Sequence, residues 1–268
     1  MSAELEIKNE KLKIGLSDGE GTNGVGAPLL SAQHIFRTYG TDSILDDVSL
    51  DIHAGESVAI VGPSGSGKTT LLGILALLLE PTSGALHIAG RDASTLSDAG
   101  RSALRNRFFG FVFQTAQLVG SLSVLDNVLL PSLLASDENG QTPSPSPSQS
   151  AVARESAPPT STRREIRRRA LDLLAKLDLS ARAAHLPHQL SQGQRRRAAL
   201  ARALLLSPAI VVADEPTNDL DLRNAALVAD FLFALPGEGH ALLLVTHDLA
   251  LATRAGRTLQ LSNGRLHK

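Results

Sequence analysis

The sequence predicts an α/β fold in which helices cross over between the strands of a mainly parallel sheet. Three observations carry this expectation. Short aliphatic segments at 57–61, 209–214 and 241–246 alternate with stretches of helical length and patterning. A glycine-rich loop, 62–67, stands directly between the first of these segments and an apolar helical run. The second aliphatic segment ends in two adjacent acids, Asp214 and Glu215, and burying two carboxylates at a strand end is costly unless a ligand or cation meets them there.

The elements follow in order. Residues 15–28 hold Gly15, Gly19, Gly21, Gly24, Gly26 and Pro28 with little that is apolar, so residues 1–29 read as a flexible leader. Within it, Gly19-Glu20-Gly21-Thr22-Asn23-Gly24 fits a dinucleotide-binding glycine pattern. No helix can open at Val25-Gly26-Ala27-Pro28, and the run is taken as linker. β-type segments are expected at 32–39, 44–52 and 57–61. A helix should then run from the glycine loop to about Glu80, with Leu71, Leu72, Leu75, Leu78 and Leu79 as its core stripe. Another strand is expected at 110–114.

Residues 136–162 contain seven Ser, five Pro and only Val152 as a large aliphatic side chain. That composition cannot offset the entropy of ordering, and a disordered insertion is expected. It separates amphipathic stretches at 124–134 and 163–177. Beyond it the pattern gives a helix at 193–206, a strand at 209–214, a helix at 222–235, a strand at 241–246, then a last helix and a hairpin.

Composition narrows the function classes. Lys and Arg number 26 against 27 Asp and Glu, for a net charge of −1, so no overall basic field exists to hold nucleic acid. The chain has no cysteine, which rules out disulfides and thiolate metal sites. The longest unbroken apolar run, 74–79, is far short of the roughly 20 residues that span a bilayer. Any membrane role is therefore expected to come through a partner. Arg163–Arg169 and Arg195-Arg196-Arg197 are read as solvated helix faces, and His185 with His188 lacks a third ligand at a metal-binding spacing.

The glycine loop carries the chemistry. Gly62-Pro63-Ser64-Gly65-Ser66-Gly67-Lys68-Thr69, followed by Thr70, matches the phosphate-loop pattern in the strand–loop–helix context that it requires. Backbone N–H groups freed by the glycines can cradle phosphate oxygens at a helix N-terminus, where the dipole also favours anions. Lys68 is then expected to bridge β- and γ-phosphates, and the Thr69 hydroxyl to ligate Mg²⁺. Asp214 can hold the same ion through water, while Glu215 can orient or deprotonate an attacking water. His247, directly after an aliphatic strand, is expected at the same sheet edge.

Further residues turn this pattern into a family resemblance. Leu190-Ser191-Gln192-Gly193-Gln194 resembles the signature sequence of the ATP-binding-cassette (ABC) family, and Gln114 its Q-loop glutamine. Asn218-Asp219-Leu220-Asp221 resembles its D-loop, Thr246-His247-Asp248 its switch-histidine segment, and Tyr39 its adenine-stacking aromatic. The resemblance covers residues 31–268. It implies an ABC ATPase core with a small antiparallel β subdomain and an α-helical signature subdomain, residues 30–268 forming one ATP-binding domain. It further implies hydrolysis of ATP with Mg²⁺, through Glu215, His247 and Gln114 as catalytic residues. Thr69, Gln114 and Asp214 would hold the metal. Tyr39, residues 62–70, Ser191, Gly193, Gln194 and Asp221 would contact nucleotide, the signature residues acting from a second copy in an ATP-sandwich dimer. Partners would be that copy and an integral-membrane permease, with the chain cytoplasmic on the inner membrane face and no nucleic acid bound. Leu104-Arg105-Asn106, the 109–114 and 215–221 passages and Thr246-His247-Asp248-Leu249 resemble the lipoprotein-release, macrolide-export and FtsE-like branch. A soluble ABC ATPase of the cluster-assembly type is the alternative. Gln192 departs from the family's usual glycine, and the 136–162 insertion lies within its helical subdomain.

Overall fold

The computed structural model describes residues 26–134 and 162–267. The fold is organised around two sheets. The first is antiparallel, in the order β2-β1-β4-β5, formed by β1 (Leu30–Tyr39), β2 (Asp42–Ile52), β4 (Ser83–Ile88) and β5 (Arg91–Asp92). The Gly26 carbonyl meets His53 Nδ1 at 3.0 Å, and just before β1 the Leu29 N–H donates to the Ile52 carbonyl. The leader up to residue 25, its glycine decoy, residue 135 and residues 136–161 of the insertion lie outside the described residues.

The second sheet runs β10-β9-β3-β8-β7-β6. Its parallel members are β3 (Ser57–Val61), β6 (Phe109–Val112), β7 (Ile210–Asp214), β8 (Ala241–Val245) and β9 (Arg257–Ser262). Only β10 (Arg265–His267) is antiparallel. Its central strands are aliphatic on both faces because both are covered. The 241–245 strand is buried at every position. One core joins the antiparallel sheet to one face, through Leu30, Ile35, Leu50, Ile60, Leu71 and Leu243. A second core covers the other face, where Val211, Ala213 and Leu244 meet α3 (Val124–Leu134), α4 (Arg163–Lys176), α5 (Gln192–Leu204) and α6 (Leu222–Ala234). A final short helix, α7 (Leu249–Ala252), follows β8.

Two expectations about helices need correction, and a third about burial: Arg196 and Arg197, read as part of a solvated face, are buried, because α5 packs them against neighbouring segments. The helix after the glycine loop, α1 (Lys68–Leu75), stops five residues before Glu80. Leu77 turns to φ 60°, and the N–H groups of Leu78 and Leu79 both return to the Gly73 carbonyl. The missing Cβ of Gly73 leaves room for the Leu79 side chain. Leu71, Leu72 and Leu75 are core, whereas Leu78 and Leu79 are exposed, so the leucine run misreads as one stripe. The second correction is an omission: α2 (Asp98–Phe108) was not anticipated. Only its Leu104 is buried, so little of it is held by the core. Its helical start is set by Ser97, whose Oγ accepts from the Gly100 N–H.

Candidate nucleotide site

The phosphate loop leaves β3 at its carboxyl end and enters α1. At Gly62 a Cβ would collide with the Leu261 carbonyl of the neighbouring strand, so only glycine fits there. Gly65 and Gly67 sit at φ 80° and 96°, a left-handed geometry that side chains disfavour. Gly67 is also the N-cap of α1, and no side chain caps that helix. Its first N–H groups therefore face the loop without an internal acceptor side chain.

Lys68 is buried, and its Nζ donates to the Gly62 and Pro63 carbonyls at 2.8 and 2.9 Å. The Ser66 hydroxyl is buried without a hydrogen-bond partner among the described residues. Thr69 is exposed, and Thr70 half-buried. A loop of inward-turning amides, a buried cation and an orphaned hydroxyl forms a cradle for an anion.

The carboxylates stand beside it. β7 lies two strands from β3, with β8 between them, and Asp214 pairs with Val245. Burial, then the neighbouring Glu215 charge, push the Asp214 carboxyl above its ordinary range, and Lys68 offsets part of that. Glu215 turns out of the strand at φ 44°, and its N–H donates to the Val245 carbonyl. Its carboxylate accepts from Thr246 Oγ1 at 3.1 Å, from the His247 N–H at 3.0 Å, and contacts His247 Nδ1 at 2.8 Å. The structure thus joins Glu215 to His247 directly. Thr246, fully buried, is a further member of the group that sequence reasoning quoted without assigning it a role.

Gln114 is exposed two residues beyond β6, whose Val112 pairs with Ala213 beside the two acids. Tyr39 ends β1, about half exposed, with the Arg37 guanidinium 4.4 Å above its ring. The hairpin that follows Tyr39 brings Ile44 against Gly67, so the antiparallel sheet abuts the phosphate loop.

Ser191, Gly193 and Gln194 form a separate cluster at the start of α5, and no hydrogen bond links them to the phosphate loop of the same chain. Ser191 Oγ accepts from the Gln194 N–H at 3.2 Å, and Gln194 Oε1 from the Ser191 N–H at 3.0 Å: a reciprocal capping box. A Cβ on Gly193 would strike the Asn224 side chain, which is held by Asp221 at 2.6 Å. Asp221 caps α6, and its bonds from Asn224 hold its carboxyl below the usual range.

Sequence reasoning also missed the groups that hold the Gln114 segment. Arg202 donates to the Ala116 and Gln117 carbonyls, at 2.9 and 2.8 Å. Asn127 is fully buried; its Oδ1 accepts from the Val119 N–H, and its Nδ2 donates to the carbonyls of Val119, Leu122 and Ser123. An amide side chain within the largely apolar 124–134 stretch was the available signal for Asn127.

A phosphate cradle, a strand-end acid pair and a separate helix-capping cluster in one parallel sheet define a P-loop ATPase of the cassette class, and the comparisons agree. The sequence profile described as "ABC transporter" matches residues 45–218. The chain belongs to the ABC transporter family, as an ATP-binding and ATP-hydrolysing component. It is 43% identical over 242 residues to the lipoprotein-releasing system ATP-binding protein LolD of Bordetella avium, covering 88% of this chain and 95% of that protein. It is 40% identical over 241 residues to the macrolide export ATP-binding/permease protein MacB of Bradyrhizobium diazoefficiens, covering 88% of this chain but 33% of that longer protein. Among solved structures, an ATP-binding cassette (MJ0796), dimeric in a post-hydrolysis state with ADP and Pi, superimposes with a TM-score of 0.73. The two share 33% identity, over 89% of this chain and 97% of that one.

Proposed function

We propose that this chain is the ATPase subunit of a membrane-associated ABC transporter of the lipoprotein-release type, acting as a pair of copies that sandwich two ATP molecules. The observation that carries the reading is the buried Lys68 in an uncapped, glycine-turned helix start, beside the Asp214 and Glu215 strand end. In this reading residues 30–268 are the cassette and 1–29 precede it. The phosphates lie along Gly62, Pro63, Ser64, Gly65, Ser66, Gly67, Lys68, Thr69 and Thr70, and Lys68 exchanges its loop carbonyls for phosphate oxygens. The adenine rests at Tyr39.

Thr69, Gln114 and Asp214 fit a Mg²⁺ ion, because they are hard oxygen donors and the ordinary charge of Asp214 is unfavourable without a nearby cation. Bound there, the ion would neutralise phosphate charge as the γ-phosphoryl group departs. Glu215 accepts the proton of the attacking water. His247, already on the Glu215 carboxylate, holds that carboxylate in place and can turn toward the γ-phosphate. Ser191, Gly193 and Gln194 of one copy close over the nucleotide of the other, and Asp221 supports that surface through Asn224.

Among the described residues no helix is long and apolar enough to cross a membrane, and in this reading the work on the cargo is assigned to a permease. LolD, a protein of nearly this length, is named as part of a lipoprotein-releasing system, which favours transport over a cluster-assembly role. The chain would then lie on the inner face of the cell membrane. The test is affinity purification of tagged Glu215→Gln with ATP from detergent-solubilised membranes. A co-purifying permease with few membrane helices and a large outer domain is expected. A many-helix permease would discard the branch, and recovery of soluble partners alone would overturn the transport reading.

A further inference from the structure

Arg196 is 3% exposed and has no carboxylate within salt-bridge distance among the described residues. Burial lowers its affinity for its proton, with only partial compensation from Asp219. A buried guanidinium without an ion-pair partner is costly, so what it holds is informative. It donates to two backbone carbonyls: Phe113, directly before Gln114, and Asn218, in the loop between Glu215 and Asp221. Arg196 itself lies one turn and a half into α5, the helix that Ser191 caps.

One side chain therefore ties together three segments that the sequence keeps far apart: the Gln114 strand end, the 215–221 loop and the Ser191 helix. Arg202, on the same helix, bonds only the Gln114 side, at Ala116 and Gln117. Side-chain bonds to carbonyls are directional and break if either loop slides by an ångström or two. Beyond the pairing of their parent strands, the Gln114 segment and the 215–221 loop are joined through Arg196, and among the described residues no other side chain has hydrogen bonds to both.

We propose that Arg196 is a positioning residue that couples nucleotide contact at Gln114 to the 215–221 loop and the Ser191 helix, and so makes closure of the two-copy sandwich depend on ATP. This rests on the sandwich reading given above. Nucleotide-induced movement of the Gln114 segment is passed to the partner-facing surface by the shared guanidinium. Without it, each chain still binds ATP at its phosphate loop but closes inefficiently on its partner.

The test uses the full chain carrying Glu215→Gln, with sedimentation measuring ATP-dependent dimerisation and fluorescent-ATP titration measuring binding by the monomer. Adding Arg196→Gln is expected to weaken ATP-driven dimerisation about tenfold, within the usual range of coupling between sites, while ATP affinity of the monomer changes less than about threefold. Arg196→Lys, which keeps the charge but reaches one carbonyl at a time, should fold more readily and show the same selective loss. If Arg196→Gln does not fold, the Lys variant decides on the same ratio. Loss of thermal stability with dimerisation unchanged, or parallel losses of ATP binding and dimerisation, would make Arg196 a structural residue and overturn the proposal. Failure of the Glu215→Gln parent itself to dimerise with ATP would instead sink the sandwich reading, and this inference with it.

Discussion

Two helix starts in this molecule look alike in sequence and differ in what they offer. Both α1 and α5 open at a serine- and glycine-bearing loop. At α1 the N-cap is Gly67, in left-handed geometry and without a side-chain acceptor, and the nearby Ser66 hydroxyl has no partner among the described residues. At α5 the N-cap is Ser191, and the Ser191–Gln194 box already satisfies two of the donors. The first start is left open for an anion by the chain's own geometry. The second is complete as a helix cap, so any phosphate it meets must be reached by what the box leaves free, or by opening the box. The lesson is that a glycine-rich helix start is open to an anion within its own chain where that chain withholds its own acceptor, whereas a capped start has fewer donors to offer.

Substitutions separate the two. The largest effect is expected at the open start and its strand-end acids: Glu215→Gln should lower kcat about a thousandfold while ATP still binds, as single-turnover kinetics and a binding titration would show. A variant that turns over ATP normally would remove Glu215 from catalysis. Next comes Lys68→Ala, expected to weaken ATP binding by about 10- to 100-fold; an unchanged affinity in equilibrium titration would contradict the cradle. At the capped start, Ser191→Asp should preserve the helix, since Asp caps as well as Ser. Its charge should nevertheless oppose a partner's phosphate. Thermal stability near wild type with ATP-dependent dimerisation lost is the expected outcome, and normal dimerisation would detach Ser191 from nucleotide. Ser191→Ala, by contrast, should cost about 1 kcal/mol of stability through the lost cap, measured by chemical denaturation.

The smallest effect probes Asp214. Its folded-state affinity for a proton is raised by burial and by Glu215. The folded chain therefore holds that proton more tightly than the unfolded chain, and stability falls as pH rises through the raised value. Asp214→Asn removes the cost, so the nucleotide-free variant should melt above wild type at neutral pH. The difference should vanish below about pH 4, where the carboxyl is protonated in both states. A variant that melts lower at neutral pH would show that the Lys68 attraction outweighs burial.

Much of this site was legible because its parts depend on local geometry. The 57–61 strand, the glycine loop and the Asp214-Glu215 strand end read correctly because sheet burial demands aliphatic runs and tight turns demand glycine. The α1 stop at Leu75 was not legible. It depends on Leu79 folding back over Gly73, a contact that no periodicity encodes. The helix at 98–108 was missed for the complementary reason, since it has one buried side chain and its start rests on a single serine cap.

The amino-acid sequence by itself determined the parallel α/β class, the phosphate loop, the acid pair and the family to which they belong. Each is set by residue type at short spacing, where chain geometry leaves little choice. Only the tertiary structure decided that Glu215 meets Thr246 and His247, that Ser191 is occupied in its own cap, and that Arg196 joins the Gln114 and Asn218 segments. Those contacts link residues from 3 to 83 positions apart. The distant ones form only once sheet order and helix packing have brought their segments together, and even the local cap competes with other uses of the same hydroxyl until the fold settles it.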